Sequence, residues 1–172
     1  AAKIIRSLRS IFSDGEMSTS QVNLGDLLQT VLTIAKPELT KKNIQVMLRL
    51  HPNLLVNVNA SEIQQVMLNL INNGIESLAA SNQIDKKLTI EGAYSDAGVQ
   101  ISVADNGQGL SEQSQSHLFE LLSSTKPSGM GLGLWLCKHI IGRHGGSIWF
   151  ESNAGGGAKF IFQLPYDEKR LT

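Results

Sequence analysis

The hydrophobic positions of this chain change period several times, and each change marks an element. Ile4, Ile5, Leu8, Ile11 and Phe12 fall at helical spacing, with Lys3, Arg6 and Arg9 between them. So short a stripe is not stable alone and needs a packing partner. Ser13-Asp14-Gly15 ends it, and the polar stretch through Ser20 reads as a linker. Leu24, Leu27, Leu28, Val31, Leu32 and Ala35 then predict an amphipathic helix, interrupted or bent near Pro37. At Ile44 the period becomes two: Val46, Leu48 and Leu50 alternate with Gln45, Met47 and Arg49, which predicts a half-buried strand. His51-Pro52-Asn53 turns the chain, and Leu54–Val58 predicts a returning strand. Helical spacing resumes over 60–80, where Ile63, Val66, Met67, Leu70, Ile71, Ile75 and Leu78 share the inward face.

A hairpin follows. Leu88, Ile90 and Tyr94 alternate, Asp96-Ala97-Gly98 turns, and Val99, Ile101 and Val103 alternate back. Next come about 25 polar, Ser- and Gly-rich residues with one apolar island at Leu118–Leu122, a length more typical of a functional lid than of a simple connection. Residues 131–143 predict an apolar helix. Strands Ser147–Glu151 and Ala158–Leu164 close the chain around the glycine turn Asn153–Gly157. There is no internal repeat. This order predicts a two-layer α/β (α+β) sandwich, with helices on one face of a mixed, mostly antiparallel sheet.

Composition narrows the class without naming an activity. A length of 172 residues suits one domain or one domain with an appendage. With 41% hydrophobic and 17% charged residues the chain reads as globular, not disordered. Zero formal net charge argues against a nucleic-acid partner held by a basic surface. No apolar run has the length of a membrane helix, so no membrane contact is expected of this stretch. Cys137 stands alone, which excludes an intrachain disulfide and a cysteine-rich zinc site.

Three clusters carry candidate chemistry. In EIQQVMLNLINNGIESL, the residues Glu62, Asn69, Asn73 and Glu76 lie within about 60° of one another around a helix. A mid-helix Asn pair at i, i+4 costs propensity, although a solvated face is the plain alternative. Second, Asp105-Asn106-Gly107-Gln108-Gly109 follows a strand directly. It sets one carboxylate beside backbone that a flat ligand can approach, and an ordinary turn would use the same residues. Third, Lys126-Pro127-Ser128-Gly129-Met130-Gly131-Leu132-Gly133-Leu134 runs into a helix and offers backbone N–H groups and a Lys to phosphate. No Gly-Lys pair occurs, which excludes a P-loop, and Leu134 and Leu136 stand where a dinucleotide fingerprint needs Gly. Together the clusters describe a purine nucleotide with its Mg²⁺.

At these residues the chain resembles the ATP-binding catalytic domain of sensor histidine kinases, in the GHKL (Bergerat-fold) superfamily. NLINNGIE resembles the family's N box, DNGQGL its G1 box, HLFELL its F box, and GMGLGLWLCKHIIGRHGGSIWFES its G2 box and the segment beyond. Glu76 and the STKPSGMGLGL segment look most like the nitrogen-regulation and oxygen-sensing branch. The resemblance covers about residues 22–166 and implies the Bergerat ATP-binding fold there. It implies that 1–13 is the end of the second dimerisation helix, 14–21 a linker and 167–172 a tail.

By resemblance Asn73 is the Mg²⁺ ligand and Asn69 lines the phosphate pocket. Asp105 takes the adenine amino group, and Gly107, Gly109, Leu110 and Phe119 shape its pocket. Thr125, Lys126, Gly129, Met130, Gly131, Leu132, Gly133 and Leu134 form the lid over the phosphates, with Lys126 catalytic beside Asn69 and Asn73. Superfamily hydrolases usually carry a Glu base four residues before the metal Asn; Asn69 stands there and cannot accept a proton from water. The implied reaction is therefore transfer from Mg·ATP to a His on a separate dimerisation domain. None of His51, His117, His139 and His144 matches the family's acceptor, and His139 and His144 read as structural or surface groups. The resemblance further implies a response regulator as partner and a homodimeric parent, cytoplasmic or in the inner membrane. Three departures stand out: Leu121-Leu122-Ser123 replaces a frequent Pro-Phe-Phe, Ala158 replaces a Thr near the adenine, and Asn59 replaces a common Asp.

Overall fold

The computed structural model describes residues 17–120 and 133–166. The predicted helix over 1–12, the F-box residues Leu121 and Leu122, and the tail from 167 lie outside them. So do the lid residues Thr125, Lys126, Gly129, Met130, Gly131 and Leu132.

The first helix, α1 (Leu24–Lys41), buries Leu24, Leu28, Val31, Ala35 and Leu39, one residue per turn. It begins at Asn23, whose side chain accepts the Gly25 N–H. It is not interrupted at Pro37. That residue lies on the exposed side, where water can take the Thr33 carbonyl left without a donor, and buried Leu39 anchors the next turn. The second helix, α2 (Ala60–Ala80), matches its predicted span. Asn59 caps it by accepting the Glu62 N–H at 3.0 Å. The short α3 (Glu112–Gln115) follows Ser111 in the Ser-rich stretch, where no hydrophobic periodicity announces it. The last helix, α4, covers Gly133–Arg143.

Five strands form one sheet in the order β2-β4-β5-β7-β6: β2 (Ile44–Leu50), β4 (Lys86–Ser95), β5 (Gly98–Asp105), β7 (Ala158–Leu164) and β6 (Ser147–Ser152). Only β2 and β4 run parallel. The β4–β5 hairpin closes on Ser95 opposite Gly98, leaving Asp96-Ala97 as its tip. The expected return of Leu54–Val58 is revised. The strand β3 (Leu55–Val58) leaves the main sheet and pairs antiparallel with β1 (Ser20–Asn23), so Ser20 and Gln21 belong to a strand. The reason is local: the His51 N–H makes the last bond to β4, on Gly92, and Pro52 has no N–H to continue the ladder.

The helices cover one face of the sheet, with α2 between α1 and α4. Leu88 and Ile90 from β4, Val99, Ile101 and Val103 from β5, and Phe160, Phe162 and Leu164 from β7 meet Ile63, Met67, Leu70, Ile71 and Leu78 of α2. One continuous core results. It fixes α2, which carries Asn69 and Asn73, and the end of β5, which carries Asp105.

Candidate functional site

Asp105 is the last residue of the central strand β5 and is only 4% exposed. Its Oδ1 accepts the Gly107 N–H at 2.9 Å and the Ser77 hydroxyl at 3.2 Å. A buried carboxylate needs such donors, and these two also fix its rotamer. Its main chain is braced by the β6–β7 turn, where Asn153 Nδ2 donates to the Asp105 carbonyl at 3.0 Å. Gly157 adopts φ 91°, and a Cβ there would overlap that same carbonyl oxygen. Gly107 is equally confined, since a Cβ would come within 2.7 Å of Ser77 Oγ. Gly109 lies against Gly157, and the Leu110 carbonyl accepts from Gln115 Nε2 at 2.9 Å. Phe119 stands edge-on to Phe160 with ring centroids 6.3 Å apart. Asn106 turns outward and closes the strand end, its Oδ1 accepting the Lys87 N–H and its Nδ2 donating to the Asp85 carbonyl.

The α2 cluster divides. Asn69 and Asn73 are half-buried and Glu76 is exposed, whereas Glu62 is buried and meets Arg143 of α4 at 3.3 Å. Glu62 therefore joins two helices and leaves the polar face on which the helical period alone placed it. Asn69 faces α4: its Nδ2 donates to the Gly133 carbonyl at 3.3 Å, and its Oδ1 accepts from Gln65 Nε2 at 2.8 Å. Asn73, one turn later, makes no hydrogen bond through its side chain among the described residues. Gly133 opens α4, and Leu134 packs half-buried against the core.

Cys137 is buried under Asn69, and burial pushes its thiol from 9.0 up to about 12. It is a packing residue and not a nucleophile. His144 bridges helices: its Nε2 accepts the Asn59 N–H at 3.1 Å and its Nδ1 meets the Ile140 carbonyl at 2.7 Å. His139 lies against Trp135, and His117 pairs with Glu120 on the surface. Among the described residues no group of three His, Cys, Asp or Glu side chains could hold a metal.

The structure brings Asp105, Gly107 and Gly109 together at a strand end, where the sequence places them. Sequence reasoning missed Ser77, Asn153 and Gly157, which hold Asp105 in place. Ser77 lies one residue beyond the N-box motif NLINNGIE, on the half-buried flank of α2, which is the only sequence signal it offers.

A five-stranded mixed sheet with one helical layer, ending in a buried carboxylate walled by glycine backbone, is the ATP-binding fold of the histidine kinases. Residues 58–168 match the family described as histidine kinase-, DNA gyrase B-, and HSP90-like ATPase, and this chain belongs to that family. It is 36% identical over 166 residues to the sensor protein FixL of Bradyrhizobium diazoefficiens, covering 96% of this chain and 33% of FixL. The chain thus spans about a third of that relative's length. The catalytic domain of histidine kinase ThkA superposes with a TM-score of 0.78 at 31% identity, covering 87% of this chain and 96% of that one. Full-length ShkA in complex with AMPPNP superposes with a TM-score of 0.79 at 25% identity, over 95% of this chain and 34% of ShkA.

Proposed function

We propose that this chain binds ATP with Mg²⁺ and presents the γ-phosphate to a histidine on a separate helical dimerisation domain. The observation that carries this reading is Asp105, a carboxylate held rigid by Gly107 and Ser77 beside a wall of glycine backbone. A purine amino group is a planar donor, and a fixed carboxylate acceptor beside glycine backbone selects it. AMPPNP in ShkA supports nucleotide as the ligand.

Asn73 fits the magnesium role. A hard cation takes oxygen donors, and the Asn73 amide has no hydrogen-bond partner among the described residues, whereas the Asn69 oxygen is occupied by Gln65. When bound, Mg²⁺ neutralises charge on the transferring phosphoryl group. Asn69 lines the phosphate end and offers no base, which disfavours hydrolysis. Lys126 is the remaining catalytic group of the reading, and Thr125, Gly129, Met130, Gly131 and Leu132 close over the phosphates with Gly133 and Leu134. Catalysis is then positioning and charge neutralisation.

The partners follow from this chemistry. The phosphoryl acceptor is the parent's own helical domain, which makes the parent a homodimer, and the next carrier is a response regulator. ThkA has been crystallised in complex with the response regulator TrrA, which supports that order. Among the described residues no helix is long and apolar enough to cross a membrane. We place the domain in the cytoplasm, where ATP is supplied, with its parent there or in the inner membrane.

The test mixes the chain with Mg·ATP and a separate protein carrying the family's acceptor-histidine helix, and follows acid-labile phosphate. Transfer that disappears with Asn73→Ala supports the reading. ATP binding without transfer under any pairing would replace it with a nucleotide- or partner-binding module, and steady phosphate release by the chain alone with a hydrolase.

A further inference from the structure

Gln65 lies one turn before Asn69 on α2 and is not among the residues the resemblance assigns to the site. Its Nε2 donates to Asn69 Oδ1 at 2.8 Å, and on the other side Asn69 Nδ2 reaches the Gly133 carbonyl at 3.3 Å and Cys137 Sγ at 3.7 Å. A backbone carbonyl can only accept, so the group of Asn69 that faces α4 is the NH₂. Its oxygen must then face Gln65, and Gln65 must donate. The Cys137 thiol is consistent with this order, since it donates toward the Val66 carbonyl at 3.9 Å and leaves its lone pairs for Asn69. Burial raises its pKa to about 12, so it remains a thiol and adds no charge.

We propose that Gln65 is a positioning residue that holds the Asn69 amide with its N–H groups on α4 and its oxygen away from the phosphate end of the site. An amide without such a partner can turn over at little cost, exchanging donor for acceptor. With Oδ1 turned toward α4, Asn69 would oppose both the Gly133 carbonyl and an anionic ligand. Gln65 removes that alternative. It also ties the site to the start of α4, the helix into which the Gly-rich segment runs, because the same Asn69 amide holds the first residue of that helix. This role of Gln65 rests on Asn69 lining the phosphate pocket.

The experiment uses the 172-residue chain with two variants, Gln65→Leu, which removes the donor, and Gln65→Glu, which replaces it with an acceptor. Nuclear magnetic resonance of the Asn69 side-chain NH₂ reads its orientation, and calorimetry reads Mg·ATP affinity. In both variants the Asn69 NH₂ resonances should move, and in Gln65→Leu their hydrogen exchange should quicken. Mg·ATP affinity should fall about 10-fold in Gln65→Leu and further in Gln65→Glu. In an Asn69→Ala background Gln65→Leu should cost nothing more, because it acts only through Asn69. Unmoved Asn69 NH₂ resonances in Gln65→Leu, or fully additive losses in the double variant, would overturn the proposal. Unchanged Mg·ATP affinity in Asn69→Ala alone would instead overturn the phosphate-pocket reading. The resonance of Asn69 would still decide the role of Gln65.

Discussion

At Asp105 one carboxylate oxygen accepts from both a backbone N–H and the Ser77 hydroxyl, so orientation is shared between two elements. Removing the hydroxyl leaves the carboxylate freer to turn. Ser77→Ala is therefore expected to weaken Mg·ATP binding by about 1 kcal/mol, and Asp105→Asn by about 1–3 kcal/mol, both measured by calorimetry. Equal affinity in Asp105→Asn would remove the adenine contact from this residue. Cys137 makes a different prediction at the same scale. Its folded thiol titrates near 12 against 9.0 when unfolded, so the folded state holds the proton more tightly. Its stability contribution is complete below about pH 9 and is lost as pH rises toward 12. Denaturant unfolding between these limits should show that decline, and Cys137→Ala should lack it. Alkylation should proceed only as fast as the chain opens.

At the scale of elements, α1 and α2 separate propensity from packing. Pro37 removes one backbone bond within α1, yet the helix persists because Ala35 and Leu39, on either side of it in sequence, are both buried in the core. Pro37→Ala should raise stability by about 1–3 kcal/mol in urea unfolding. No gain would mean that Pro37 restricts the unfolded chain by as much as it costs the helix. Asn59 has a clear role here that its sequence position did not disclose. Its Oδ1 caps α2, its Nδ2 donates to the Ser18 carbonyl at 2.9 Å, and its N–H meets His144. Asn59→Ala should cost about 0.5–2 kcal/mol in the same measurement, while Asn59→Asp should keep the cap and lose only the Ser18 bond. Periodicity revealed α2 and the five main strands because each has an apolar face against a single core. It did not reveal β1 or α3, which are too short to show a period, nor the buried place of Glu62, which depends on Arg143 arriving from α4.

For the whole molecule, nucleotide binding should appear as stability. At a free Mg·ATP concentration of about 100 Kd the folded state gains about 2.7 kcal/mol, which a thermal unfolding scan will register as a raised Tm. Chelating the magnesium should remove most of that rise if Asn73 holds the ion, and an Asn73→Ala chain should show little rise with or without chelator. Local sequence was enough to determine the longer helices, the five strands of the main sheet, their apolar faces and the DNG turn after a strand, because periodicity and turn chemistry act over a few residues. The ordered boxes also identified the family. The tertiary structure alone decided that β3 leaves the sheet, that Glu62 turns inward, and that Ser77, Asn153 and Gly157 converge on Asp105. Ser77 and Asn153 stand 28 and 48 positions from Asp105, and only a closed core brings groups so far apart in sequence within hydrogen-bond reach.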